Sequence, residues 1–366
     1  MNRRTVLLNP GPVTLSERVR NALLREDLCH REPEFAALTL DIKARLARLY
    51  TAAEAGFEPV LLTGSGTCAV EAMLSTLAPN TARTLVVANG VYGERMAGML
   101  HAHGKPHVIV RSDWLDPMDL AATETAIKTD SAITHVVAVH NETTTGRLND
   151  IGALAGLCRR YGRNLMVDAV SSFGGEAIDF AHPSLLAVAA TGNKCLHGIV
   201  GTCFVLARRS AFTEGHSQAA TLYLDLFRYQ KEQTEGYSPY TQAVHACFAL
   251  QEALLELEEQ GGWEARRHRY RTLSGAIRTE LFRLGIPLLL PASECSAMVS
   301  SFVLPVGWAY RRLHDALREA GFVIYAGQGG LYHAVFRVCT LGDISDEDVQ
   351  RLRASFRRLF GRGGGE

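Results

Sequence analysis

The sequence predicts an α/β fold, a large domain with a mostly parallel seven-stranded sheet plus a smaller α+β domain. Three observations carry this. Seven short apolar runs, at 59–62, 84–88, 107–110, 135–139, 164–167, 185–189 and 202–206, are continuous rather than alternating. Strands buried on both faces look like this. Helical patterns such as 67–77 and 151–161 separate most of them, as in βαβ units. From about Gln242 the character changes to long charged helices.

In this second part, helical patterns span 242–260 and, after the Gly261-Gly262 break, 263–284. Strand candidates at 298–304 and 334–339 then alternate with helices at 310–320 and 345–359. The division expected is 20–245 for the large domain, with 1–19 and 246–366 forming the smaller one. The glycine-rich end, 361–366, reads as a mobile tail.

The chain has 366 residues, 47% hydrophobic and 21% charged, which excludes a disordered or fibrous class. Its 38 basic and 38 acidic residues cancel, so no global field favours nucleic acid or an anionic membrane as a partner. The opening MNRRTVLLNPGP is too short in apolar residues for a secretory signal. No run approaches the roughly 18 apolar residues that cross a bilayer. Eight scattered cysteines without a C-x-x-C pair read as reduced thiols of a cytoplasmic protein, and no metal is called for.

Three constellations carry chemistry. Thr63-Gly64-Ser65-Gly66-Thr67 follows a strand and opens a helix. Free N–H groups at such a turn attract phosphate, although a plain glycine turn has the same form. Asp168 ends an apolar strand, where ligands of parallel sheets bind; it could equally be a metal ligand, a cap or a structural group. Lys194 is one of only five lysines, and no other formal charge occurs from Pro183 to Ala207. Apolar surroundings favour the neutral amine needed for a Schiff base, whereas an ordinary loop lysine would face solvent. Together, a phosphate cradle, a strand-end aspartate and a lysine are the groups that pyridoxal 5′-phosphate chemistry requires.

At this point the chain resembles the class V aminotransferases of pyridoxal phosphate fold type I, and most of all their 2-aminoethylphosphonate:pyruvate branch. The resemblance rests on residues 64–72, on Asn89-Gly-Val-Tyr-Gly-Glu-Arg95, on His140-Asn-Glu-Thr-Thr-Thr-Gly146, on 167–175, on Asn193-Lys-Cys195 and on 321–325. It implies that Lys194 holds the cofactor as a Schiff base and carries a proton between the substrate carbon and C4′. Asp168 would pair with the pyridine nitrogen. Ser65, Gly66 and Thr67 would hold the phosphate, Tyr92 would stack on the ring, and Thr143 and Asn193 would lie against the cofactor. Gly11 would let the N-terminal segment approach the substrate, and Arg337 would bind its phosphonate or carboxylate. On spacing alone Tyr92 could be a core aromatic and Arg337 a surface ion-pair partner.

The resemblance also implies a homodimer with shared sites, in which a threonine-rich run reaches the partner's phosphate. Here that run reads Tyr237-Ser-Pro-Tyr-Thr241, and Thr241 fits it best. A second departure lies after Tyr325, where Ala-Gly-Gln-Gly-Gly-Leu-Tyr-His stands on the substrate side. The expected reaction converts 2-aminoethylphosphonate and pyruvate to phosphonoacetaldehyde and L-alanine. The alternatives are a class V transaminase or lyase for another small amine, a cysteine desulfurase, or a non-catalytic or nucleotide-binding α/β protein. Asparagine before Lys194 disfavours the desulfurase, intact Lys194 and Asp168 disfavour a non-catalytic protein, and the missing glycine fingerprint disfavours nucleotide binding.

Overall fold

The computed structural model describes residues 4–361; most of the expected tail, 362–366, lies outside them. Seven strands form the main sheet: β1 (Phe57–Gly64), β2 (Arg83–Ala88), β3 (His107–Arg111), β4 (Ile133–Val139), β5 (Asn164–Asp168), β6 (Leu185–Thr191) and β7 (Gly201–Arg208). Each coincides with one of the apolar runs. Their order across the sheet is β1-β7-β6-β5-β4-β2-β3. Only β7 runs against its neighbours; the other pairs are parallel.

Alternate residues of each strand enter different cores, because side chains on a strand point to opposite faces. In β5, Leu165 and Val167 join one core and Met166 the other. Helices cover both faces, so neither set of positions can be polar. That is why the runs are continuously apolar rather than alternating.

The single antiparallel strand decides where Lys194 lies. Because β7 returns beside β6, the connection at 192–200 turns back at the carboxyl end of β6. Asp168 closes β5, the parallel neighbour of β6, so both groups sit at the same edge. In the smaller sheet, Val335–Cys339 lies between Val299–Val303 and Tyr325–Ala326. Arg337 occupies its middle and pairs with Ser301 on one side and Tyr325 on the other.

The N-terminal segment ties the two regions together. Val6–Leu7 pairs in parallel with Phe322–Val323, and Cys339 N–H donates to Leu8 O at 2.8 Å. The next residues run on to Lys194. A separate core gathers Val6, Phe302, Phe322, Phe336 and Phe356 around the small sheet. We propose the division at 245/246 as a chain boundary only, since helix Val244–Glu259 packs Cys247, Leu250, Leu254 and Leu257 under the large sheet. No helix among the described residues is long and apolar enough to cross a membrane.

Candidate active site

The phosphate cradle is the start of helix Gly66–Leu77, directly after β1. Ser65 occupies the N-cap position with its side chain unbonded to its own helix, and both Ser65 and Thr67 are exposed. A Cβ on Gly66 would lie 2.5 Å from Val170 Cγ1 and 3.4 Å from Thr191 Cβ. The absent side chain thus lets the helix N-terminus settle against the turn that follows Asp168. Thr63 is fixed from behind, accepting the Ala243 N–H at 3.0 Å and meeting Gln242 Oε1 at 3.1 Å. Thr241, next to this contact, is exposed.

Asp168 is buried, and its Oδ1 accepts the Val170 N–H at 2.9 Å. Burial pushes its carboxyl up to about 6; the Val170 N–H and the positive charges of Lys194 and Arg95 oppose that rise. Below about pH 4 the group is protonated in folded and unfolded chains alike. Between about pH 4 and 6 the unfolded chain loses its proton while the folded one keeps it. Stability therefore falls with rising pH, by about 3 kcal/mol in total. In cofactor-free protein, Asp168→Asn removes this penalty. Its melting temperature should match wild type at acid pH and exceed it progressively toward pH 7; a constant offset between the two across that window would contradict the burial account.

Lys194 is half-buried and donates from Nζ to Pro10 O. Gly11 has φ +128°, and a Cβ there would meet Lys194 Cε at 3.0 Å and Nζ at 3.3 Å. Gly11 therefore serves Lys194 itself, giving the lysine room to pass the N-terminal segment. Asn193 accepts the Thr191 hydroxyl at 2.7 Å.

Tyr92 stands at the start of helix Val91–Ala102, beyond the carboxyl end of β2. The Arg95 guanidinium lies 4.7 Å from its ring centroid. Thr143 is buried, and its hydroxyl has no partner among the described residues. Its carbonyl accepts Arg337 Nη1 at 2.6 Å, while Arg337 Nε donates to Ala326 O at 2.8 Å. Arg337 is 6% exposed and has no carboxylate partner among the described residues. A buried guanidinium held only by carbonyls carries uncompensated positive charge. It suits an incoming anion.

Glu142 was not singled out from the sequence. It is fully buried, and burial raises its carboxyl above the usual range, opposed by the Thr144 hydroxyl and N–H. Its Oε1 accepts that hydroxyl at 2.6 Å, and Thr144 Oγ1 in turn accepts the Val91 N–H at 3.1 Å. The pair caps the Tyr92 helix from a distant loop, a task Gly90 has no side chain to do. Only the acidic residue among hydroxyls in 140–146 hinted at this.

Comparison with known proteins agrees with this geometry. The family model Aminotransferase class-V matches residues 17–359. The chain belongs to the class V aminotransferases. It is 36% identical over 353 residues to the 2-aminoethylphosphonate--pyruvate transaminase of Bacillus mycoides (strain KBAB4), covering 95% of each chain. The protein of that name from Bacillus cereus (strain ATCC 10987 / NRS 248) is 35% identical over the same share. Among solved structures, an aspartate aminotransferase of subgroup IV from Thermus thermophilus superposes with TM-score 0.88 at 26% identity, over 98% of this chain and 99% of that one. An alanine--glyoxylate aminotransferase from Nostoc sp. has the same fold, with TM-score 0.89 at 23% identity, over 98% and 96%.

As a class V aminotransferase this protein uses pyridoxal 5′-phosphate. The site fits that cofactor: Ser65 and Thr67 are exposed at a helix N-terminus that no side chain caps, the Thr143 hydroxyl has no partner among the described residues, and a buried carboxyl and a half-buried lysine lie at one edge of the sheet.

Proposed function

We propose that this aminotransferase takes its amino group from 2-aminoethylphosphonate and passes it to pyruvate, forming phosphonoacetaldehyde and L-alanine. The relatives' names support the substrate pair, and one observation carries the reading. Arg337 is a buried, carboxylate-free guanidinium, and it is suited to hold a phosphonate and then a carboxylate in turn.

The bound cofactor supplies an electron sink for the carbon that bears the amine. The rest falls to the chain. Ser65, Gly66 and Thr67 would hold the phosphate at the helix N-terminus. Asp168 would pair with the ring nitrogen and keep it protonated as an ionised carboxylate, the form that the Val170 N–H and the charges of Lys194 and Arg95 favour. Tyr92 would stack on the ring, Thr143 would offer its free hydroxyl to the cofactor, and Asn193 would lie against it beside the lysine. Lys194 would move the proton at the substrate carbon, for which its Nζ must leave Pro10 O. Gly11 leaves it space. Thr241, exposed beside the cradle's support, is assigned to the phosphate of a second subunit, which makes the working unit a homodimer, in the cytoplasm. Purified protein supplied with cofactor, 2-aminoethylphosphonate and pyruvate should release L-alanine; alanine formed only with other amines would move the assignment to another small donor.

A further inference from the structure

The turn that carries Lys194 is anchored by two side chains to which the reaction above gives no task. His197, three residues on, has φ +67° and is the only non-glycine among the described residues in the left-handed region. Such a backbone is costly for a residue with a side chain and persists where the surroundings impose it. Here they do. His197 is buried, its own N–H donates to Lys194 O at 3.0 Å, and its Nε2 accepts the Gly342 N–H at 2.9 Å. A ring nitrogen that accepts carries no proton, so the Tyr270 hydroxyl, 2.7 Å away, donates to it. Burial, and after it the charge of Arg266, hold the imidazole well below its ordinary value. The ring stays neutral and accepting.

Tyr270 lies on helix Gly262–Arg283 and is itself buried. Its hydroxyl is also 3.2 Å from Cys195 O, the carbonyl of the residue after Lys194, which accepts Arg266 Nη1 from the same helix at 2.8 Å. Gly342 in turn backs onto the N-terminal segment. It forms a parallel bridge with Thr14, Asp343 N–H donates to Thr14 O at 2.8 Å, and a Cβ on Gly342 would lie 2.6 Å from that oxygen. Pro10 O, which accepts Lys194 Nζ, belongs to the same segment. Lys194 is thus tied to one block of backbone at both ends, its main chain through His197 and Gly342 and its amine through Pro10.

We propose that His197 and Tyr270 are positioning residues, which fix the main chain of Lys194 while its amine moves. This rests on Lys194 being the proton-transfer group. The amine must leave Pro10 O to reach the substrate carbon, so that end gives no support during the transfer. What still holds the lysine is its main chain, through His197 Nε2 and Cys195 O. Proton transfer needs hydrogen-bond reach, and a misplacement of about 1 Å costs on the order of 100-fold in rate.

The test follows the first half-reaction in a single turnover, as bleaching of the cofactor's visible band by 2-aminoethylphosphonate or by whichever primary amine the wild type uses. Tyr270→Phe keeps the ring and leaves Cys195 O its Arg266 bond, so it should fold; bleaching should slow about 10-fold, the worth of one lost hydrogen bond. His197→Ala should slow it about 100-fold. In His197→Gln a side-chain oxygen again accepts the Gly342 N–H, and most of the rate should return. In all three, KM and the amplitude of the band should stay near wild type, and deuterium on the carbon bearing the amine should slow the variants at least as much as it slows wild type. A merely structural role would lower the amplitude and the melting temperature and leave the loaded enzyme's rate unchanged. Wild-type rates in loaded Tyr270→Phe and His197→Ala, or a His197→Gln no faster than His197→Ala, would overturn the proposal. Lys194→Ala separates the two readings: if it keeps band and turnover, the assignment of Lys194 fails and this proposal with it; if it is inactive, failure of the other variants overturns the positioning alone.

Discussion

Lys194→Ala should lower kcat by on the order of 10⁴-fold, the upper range for loss of a positioned proton-transfer group, and should abolish the visible absorption of the bound cofactor. Of the other lysines, Lys43 bonds Glu58 and Gln233 O, Lys105 is enclosed by Ala78 O, Asn80 and Gln218 O, and Lys128 pairs with Glu124. The variant should fold, since Lys194 is half-buried and its Nζ contact is a backbone carbonyl of the N-terminal segment. Lys194→Arg should be equally inactive, because a guanidinium stays protonated and cannot take the proton. A visible band and substantial turnover in Lys194→Ala would remove the lysine from the chemistry.

The second large effect is at Arg337. Arg337→Ala should reduce kcat/KM for the aminophosphonate by roughly 100-fold, mainly through KM, in line with about 1.5–3 kcal/mol for hydrogen bonds to a charged group. Arg337→Lys should recover part of this, since it restores charge but not the planar fork. The acceptor should suffer in parallel, because one guanidinium serves both anions in turn. Truncation also frees Thr143 O and Ala326 O. Loss of stability must therefore be separated from loss of binding by the melting temperature and the cofactor's visible band. Unchanged KM values for both substrates would place the anion elsewhere.

The two sites differ in how readable they were. The Lys194 environment is local: a lone charge in an apolar stretch, on a connection between two strands, is visible in the order of residues alone. The seven strands were readable for a related reason, since burial on both faces leaves no polar positions in them. Arg337 gave no such signal. What makes it special is the absence of a carboxylate beside it in space, and only the resemblance pointed there.

Contacts made at long range were not readable at all. Glu142 and Thr144 cap a helix that starts some fifty positions earlier in the chain, at Val91. Trp114 meets Gly329 because the N-terminal strand Val6–Leu7 and the small sheet bring the second region over the first. Neither pair has a periodicity or spacing to reveal it. The two-residue strands Val6–Leu7 and Phe322–Val323 are likewise too short for any pattern.

One site, built on Lys194 and Arg337, should serve both halves of the reaction, taking an amine from 2-aminoethylphosphonate and giving it to pyruvate. The most direct measurement follows the visible band of cofactor-loaded protein through the two halves separately. Adding 2-aminoethylphosphonate alone should bleach the band and release one equivalent of phosphonoacetaldehyde per site; adding pyruvate should then restore it and yield one equivalent of L-alanine. A band that 2-aminoethylphosphonate leaves intact, in protein that responds to another amine, would contradict the claim.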